Sequence, residues 1–408
     1  MTDRFTVDEL ALRLGVPAAR VTELADRGIL DRDADGRFDP GDVHRVRLLE
    51  AFEDAGVPLD ILEAASRAGL ISLTYYDQLH PPPDLASTRT YDEFKASLDP
   101  GGRELLARLY AAFGLAEPDE DAGLSAADET LLADLLRTVV ETGQPDLALR
   151  AVRLFGEGAR RSADGALGIY GEAVSRSDAP LAGLPEDELF ERLLQPWAHF
   201  ARLSPSIATW LTSHHMTRAI DEYSLVASER ILEESGFVPS RGSEQPAVAF
   251  VDLTGFTRIT QERGDEEAAR LALRLGDVTT EVVEPRGGRL VKLLGDGALI
   301  RFADAMTAID GTLDLLESLP RADLPTGHAG VASGPLIARD GDVFGRTVNL
   351  AARISDAAPD GRLYVPTDVA AALPAAARAR LVIAAVEAPL LQGIGRVELV
   401  DVRRLVPA

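Results

Sequence analysis

GGRLVKLLGDGALIRF, Gly287 to Phe302, reads as two strands folded back on a tight tip at Gly295-Asp296-Gly297. Glycine on both sides lets the chain turn sharply and lets other backbone come close to Asp296. Upstream, AVAFVDL (Ala247 to Leu253) is a strand-like run that carries a second carboxylate, Asp252, at its end. The turn Thr254-Gly255 then leads into helical sequence.

Further out, helical patterning covers Glu266 to Val283 and Ala305 to Ser318. HAGVASG (His328 to Gly334) reads as a strand, Thr347 to Ala357 as a helix, and RLYVP and VELVDVRR as closing strands. Elements alternating in this order predict an α+β sandwich of the ferredoxin-like kind over 247–408. Ahead of it the chain reads as all-α. Residues 1–80 form a small helical unit in which Thr6 caps VDELALRLG, with Glu9 at capping-box spacing. HPPPD (His80 to Asp84) reads as a linker. Residues 90–234 read as a helical bundle whose last helix runs from about Ser206 to Glu234, with a stripe of Met216, Ile220, Tyr223, Ala227 and Ile231. Residues 235–246 form a second linker. The expected class is thus multidomain, with an all-α N-terminal region followed by an α+β domain.

Composition narrows the possibilities. With 408 residues there is ample core for several domains, and with no cysteine there are neither disulfides nor thiolate metal sites. No apolar run approaches the roughly 20 residues of a membrane span, and no secretory leader is seen, so a cytoplasmic protein with no membrane partner is expected. A net charge of −24 disfavours DNA, which selects a cationic footprint. Of 42 basic Lys and Arg residues only Lys95 and Lys292 are lysines. Lys292, on the hairpin, offers a compact point donor where arginine would offer a planar fork. Neither lysine follows glycine, which excludes a P-loop.

The candidate site residues fall into groups. Asp252 and Asp296 come from adjacent elements and supply hard oxygen ligands for two divalent ions about 3.5–4 Å apart, the arrangement used in phosphoryl chemistry. The backbone of Thr254, Gly255, Phe256 and Thr257 opens a helix and suits a phosphate. In GDVFGRTVNLAAR (Gly341 to Arg353), Asn349 and Arg353 are four apart on one helix face. An amide there can orient a ribose, and a guanidinium can stabilise charge developing on a phosphate. Asp342 and Lys292 together make an acceptor and a donor for a purine edge.

These motifs together resemble the class III nucleotidyl cyclase catalytic domain, over about residues 247–405. The resemblance implies that Asp252 and Asp296, with the Leu253 carbonyl, hold two Mg²⁺ or Mn²⁺ ions. It implies that Lys292 and Asp342 read adenine and that Asn349 and Arg353 stabilise the transition state. Guanylate-forming relatives typically carry Glu and Cys as the base-reading pair; a chain without cysteine points to ATP. The reaction implied is in-line attack of the ribose 3′-hydroxyl on the α-phosphorus with loss of pyrophosphate, at sites shared between the two subunits of a homodimer.

Residues 5 to about 62 resemble the winged helix-turn-helix of MerR-type regulators, carried by FTVDELALRLGVPAARVTELADRGIL and FDPGDVHRVRLLEAFEDAGVPLDIL. The presumed recognition helix carries Glu23 and Asp26 beside Arg20, and the wing shrinks to DADGRFD. Acidic groups there oppose a phosphate backbone, so the expected role is dimerisation or regulation. The block 90–234 is the expected sensor, answering to an unknown ligand or to pH, with His214 and His215 as candidate proton-sensitive groups. The alternative reading is a DNA-binding or interaction regulator whose cyclase-like domain senses nucleotide without turnover.

Overall fold

The computed structural model describes residues 4–67, 89–120, 122–175, 195–237 and 245–405. The expected HPPPD linker, and residues 238–244 of the second linker, lie outside them. The chain divides into two compact units, Met1–Val226 and Ala227–Ala408.

In the N-terminal unit, helices α1 (Val7–Leu14), α2 (Ala18–Asp26), α3 (Asp42–Asp54) and α4 (Leu59–Arg67) enclose a core that includes Leu10, Val21, Leu24, Phe38, Val46 and Leu49. The Thr6–Glu9 capping box is present at α1. Phe5 and Phe38 form an isolated antiparallel bridge, and in the DADGRFD segment the Asp33 carboxylate accepts from the amides of Asp35 and Arg37. A second core gathers Tyr91, Phe94, Leu106, Leu109, Leu132 and Val139 from the helices that follow. The two cores belong to one unit: Gly123 lies so close to α1 that a Cβ there would stand 3.2 Å from the Leu12 carbonyl oxygen.

The last helix before the C-terminal sheet begins earlier than its sequence suggests. It runs Gln195–Glu234 and takes Pro205 into its interior. Proline has no N–H for the Ala201 carbonyl, and the neighbouring Ser204 hydroxyl donates to that oxygen instead, at 2.8 Å. This compensation involves a local side chain that periodicity does not register.

The C-terminal unit is built on a seven-stranded sheet. Its strands in chain order are β1 (Ala247–Leu253), β2 (Arg289–Leu294), β3 (Gly297–Phe302), β4 (Gly327–Ser333), β5 (Leu363–Pro366), β6 (Leu381–Ala385) and β7 (Leu399–Arg404). The spatial order is β6-β7-β5-β4-β1-β3-β2. The four strands β4-β1-β3-β2 form the ferredoxin-like core, and β5, β7 and β6 extend it. β1 is central and buried on both faces. Its odd residues, Ala247, Ala249, Val251 and Leu253, pack with Leu271, Leu275, Val278, Ile309 and Leu313 from helices Asp265–Val283 and Ala305–Ser318. Its even residues Val248 and Phe250 pack with Ala351 and Ile354 of helix α5 (Arg346–Ala357) on the other face. The period of two along a strand therefore puts Asp252 on the α5 side.

Candidate active site

Asp252 sits at the end of β1, opposite Gly297 on one side and His328 on the other. The hairpin tip is tied to the next residue, since the Leu253 amide donates to the Asp296 carbonyl at 3.0 Å. Both glycines of the tip are required. Gly295 has φ of 67°, and a Cβ on Gly297 would stand 2.1 Å from Asp252 Oδ1. The other oxygen, Oδ2, accepts from the Ser355 hydroxyl at 3.1 Å. Burial raises the Asp252 pKa above the usual aspartate value; the Ser355 bond and nearby His328 pull it back, while Asp296 and Asp356 push it up further.

Asp252 and Asp296 suit a divalent cation. They are partly buried and repel each other, and among the described residues neither is in a salt bridge with Lys or Arg. No group of three or more His, Cys, Asp or Glu side chains able to hold a metal occurs among the described residues. A metal here would therefore rest on the two carboxylates together with backbone oxygen, for which Leu253 is the expected source.

The expected phosphate-binding backbone differs among its four amides. The Thr254 amide donates to the Thr326 carbonyl at 2.8 Å, so it is committed within the fold. Gly255, at φ of 73°, precedes the helix Phe256–Arg263, leaving Gly255, Phe256 and Thr257 as candidate donors.

Asn349 and Arg353 are both exposed on α5 and line one cleft with Asp252, Phe250, Asp356 and Gln392. Arg353 is held by Asp356 at 2.8 Å. Lys292 and Asp342 meet elsewhere in the unit, Nζ to Oδ2 at 2.5 Å. Burial opposes ionisation of Asp342, but the Lys292 ammonium and the Val343 amide outweigh it and bring its pKa below the usual aspartate value. Lys292 reaches that position through a β-bulge. The register shifts between Leu290, opposite Ile300, and Lys292, opposite Leu299, so Lys292 emerges on the α5 face of the sheet. In an unbroken strand it would share the face of Leu290, toward the opposite core.

Ser355 was not anticipated from the sequence, because a serine in helical sequence looks like any other polar position. His328 was missed too. Its Nδ1 is buried with no hydrogen-bond partner, one strand from Asp252. His214 and His215 lie on the helix Gln195–Glu234, where the His214 ring sits 4.0 Å from that of Trp210 and bonds its carbonyl.

An adenylate cyclase of Streptomyces coelicolor is 30% identical over 339 residues, covering 82% of this chain and 79% of its own length. The chain belongs to the adenylate cyclase family. A pH-sensitive adenylate cyclase of Mycobacterium tuberculosis is 31% identical over 273 residues, 66% of this chain and 66% of its own length. Among solved structures, the adenylyl cyclase CyaB from P. aeruginosa aligns with 40% of this cyclase and 94% of its own chain, at 18% identity and a TM-score of 0.35. No family model matches the chain. The candidate site lies in the C-terminal unit, and the N-terminal unit is mainly α-helical. No helix among the described residues is long and apolar enough to cross a membrane.

Proposed function

We propose that this cyclase converts ATP to 3′,5′-cyclic AMP and pyrophosphate at sites formed by a homodimer. The observation that carries the reading is that Asp252 and Asp296 stand at neighbouring strand ends, linked through the hydrogen bond of the Leu253 amide to the Asp296 carbonyl, with neither in a salt bridge to Lys or Arg among the described residues.

Asp252, Asp296 and the Leu253 carbonyl hold Mg²⁺ or Mn²⁺, two ions per site, and these supply charge neutralisation on the triphosphate. The amides of Gly255, Phe256 and Thr257 receive phosphate oxygens at the start of their helix. The Asn349 amide orients the ribose. Arg353 has donors beyond the one on Asp356 and turns them to the charge that builds on the α-phosphate. Lys292 donates to, and Asp342 accepts from, the adenine edge. In the dimer, the aspartates of one subunit act with Lys292, Asp342, Asn349 and Arg353 of the other.

The N-terminal unit carries the regulatory input, a ligand or protons. One relative is named as pH-sensitive, and His214 and His215 are the candidate groups here, with Asp221 and the Arg218–Glu222 pair beside His214. A pH response that persists after both histidines are replaced removes that role. A DNA-binding role is disfavoured by the presumed recognition helix: Arg20 is bound by Glu23 and Glu53, and Arg27 by Glu23 and Glu63. Those cations are already neutralised within the fold.

The test is product formation by the purified protein from ATP or GTP with Mg²⁺ or Mn²⁺, beside Asp296→Ala and residues 240–408 alone. Cyclic AMP from ATP, lost in Asp296→Ala, is expected. No cyclic nucleotide from either form, with dimerisation verified, moves the reading to a nucleotide-sensing regulator.

A further inference from the structure

Buried hydroxyls in helices usually fold back onto the carbonyl four residues earlier. Thr260 and Thr280 of the catalytic unit do so, onto Phe256 and Gly276. Ser355 does not. It is fully buried on α5, yet its hydroxyl points off the helix to Asp252 Oδ2 at 3.1 Å, with the His328 carbonyl farther away at 3.5 Å. A serine has one proton to give, and an ionised carboxylate is the stronger acceptor.

This contact depends on how closely α5 lies against the sheet. Gly330 stands next to Phe250 in the register of β4 and β1. A Cβ at Gly330 would be 2.3 Å from the Ser355 nitrogen and 2.4 Å from the Ala351 carbonyl oxygen, so only glycine admits the helix backbone here. On the other flank, Gly297 leaves just enough room for Asp252 Oδ1. One carboxylate is thus fixed from two sides, by a missing side chain on β3 and by a hydroxyl on α5. The helix that fixes it also carries Asn349 and Arg353.

We propose that Ser355 is a positioning residue for the metal site, holding the Asp252 carboxylate in the orientation that receives the divalent cation. The inference rests on the metal-dependent cyclase reading and adds a residue to it. Partners that orient metal-binding carboxylates typically change metal affinity or activity by about 10- to 100-fold when removed.

The experiment uses full-length protein with Ser355→Ala, Ser355→Cys and Asp296→Ala. Mn²⁺ binding is followed by the EPR signal of free Mn²⁺ in the presence of a non-cyclisable ATP analogue. The Mn²⁺ concentration for half-maximal cyclase activity and the melting curve are measured in parallel. Ser355→Ala is expected to weaken Mn²⁺ binding by about tenfold and to shift half-saturation equally. Activity at saturating Mn²⁺ should recover most of the loss, and the melting temperature should stay within a few degrees. Ser355→Cys keeps the volume and a weaker donor, so it should shift less in the same direction, and it carries the test if the alanine variant does not fold. Unchanged Mn²⁺ affinity in a folded Ser355 variant, with wild type still binding Mn²⁺ better than Asp296→Ala, overturns the role of Ser355 alone. Wild type that binds Mn²⁺ no better than Asp296→Ala and forms no cyclic nucleotide overturns the metal reading and this proposal with it.

Discussion

Gly297 lies directly across the strand pair from Asp252, and a methyl group on it would stand 2.1 Å from the Oδ1 of that aspartate. The glycine after the hairpin aspartate therefore serves the neighbouring strand as much as its own turn. Gly297→Ala must push the Asp252 side chain out of place. The expected result is a folded protein, destabilised by about 1–3 kcal/mol, with cyclase activity reduced at least about 100-fold. A melting curve beside a turnover assay checks both halves. Near-normal turnover would mean that Asp252 has room elsewhere.

Asp252 is maintained at a cost to the metal-free fold. Burial raises its pKa, so the folded chain holds this proton more tightly than the unfolded chain does. Its contribution to stability is greatest at low pH and is lost as pH rises through the folded value. Asp252→Asn removes the charge while keeping the shape. At pH 7 without metal the variant should melt a few degrees higher than wild type, and the gain should vanish near pH 3.9, the ordinary aspartate value. Mn²⁺ with an ATP analogue should raise the melting temperature of wild type and not of the variant.

Gly330→Ala tests the approach of α5 to the sheet. The added methyl would meet backbone atoms of Ala351, Ile354 and Ser355, none of which can turn aside. A loss of at least about 1–3 kcal/mol is expected, together with weaker Mn²⁺ binding because Ser355 is drawn away from Asp252. Denaturant unfolding and Mn²⁺ titration separate the two effects.

Lys292 and Asp342 form an ion pair before any base arrives, so each is preorganised by the other. Lys292→Ala should raise the KM for ATP by about 10- to 100-fold and narrow the preference for ATP over GTP, with a smaller effect on kcat. Lys292→Arg should not restore it, since a planar fork cannot replace a point donor against the same acceptor. Initial rates with both nucleotides decide the matter.

Sites shared across a dimer predict complementation. Asp252→Ala and Asn349→Ala homodimers should both be inactive. Mixed in equal amounts and allowed to exchange subunits, they should recover about a quarter of wild-type activity, because half the dimers carry one intact site of two. No recovery after verified exchange would place the whole site within one chain, as the cleft shared by Asp252, Asn349 and Arg353 would permit.

The sequence by itself marked most strands and helices around the site, and the chemical inventory. AVAFVDL is legible as a strand with Asp252 near its end. The glycines around Asp296 marked the hairpin tip, and the four-residue spacing of Asn349 and Arg353 put them on one helix face. These are local regularities, with periods of two and of 3.6, and they need no partner to be read. Tertiary structure decided what local pattern does not contain. The bulge at Val291 turns Lys292 to the face where Asp342 waits, reversing what strict alternation would give. The missing side chain of Gly330 lets α5 settle onto the sheet, and only then does Ser355, 103 residues from Asp252, come within hydrogen-bond reach. The Thr254 amide is spent on Thr326 for the same kind of reason. Register shifts and backbone approach depend on which segments meet, and a single strand or helix cannot show that before the chain has folded.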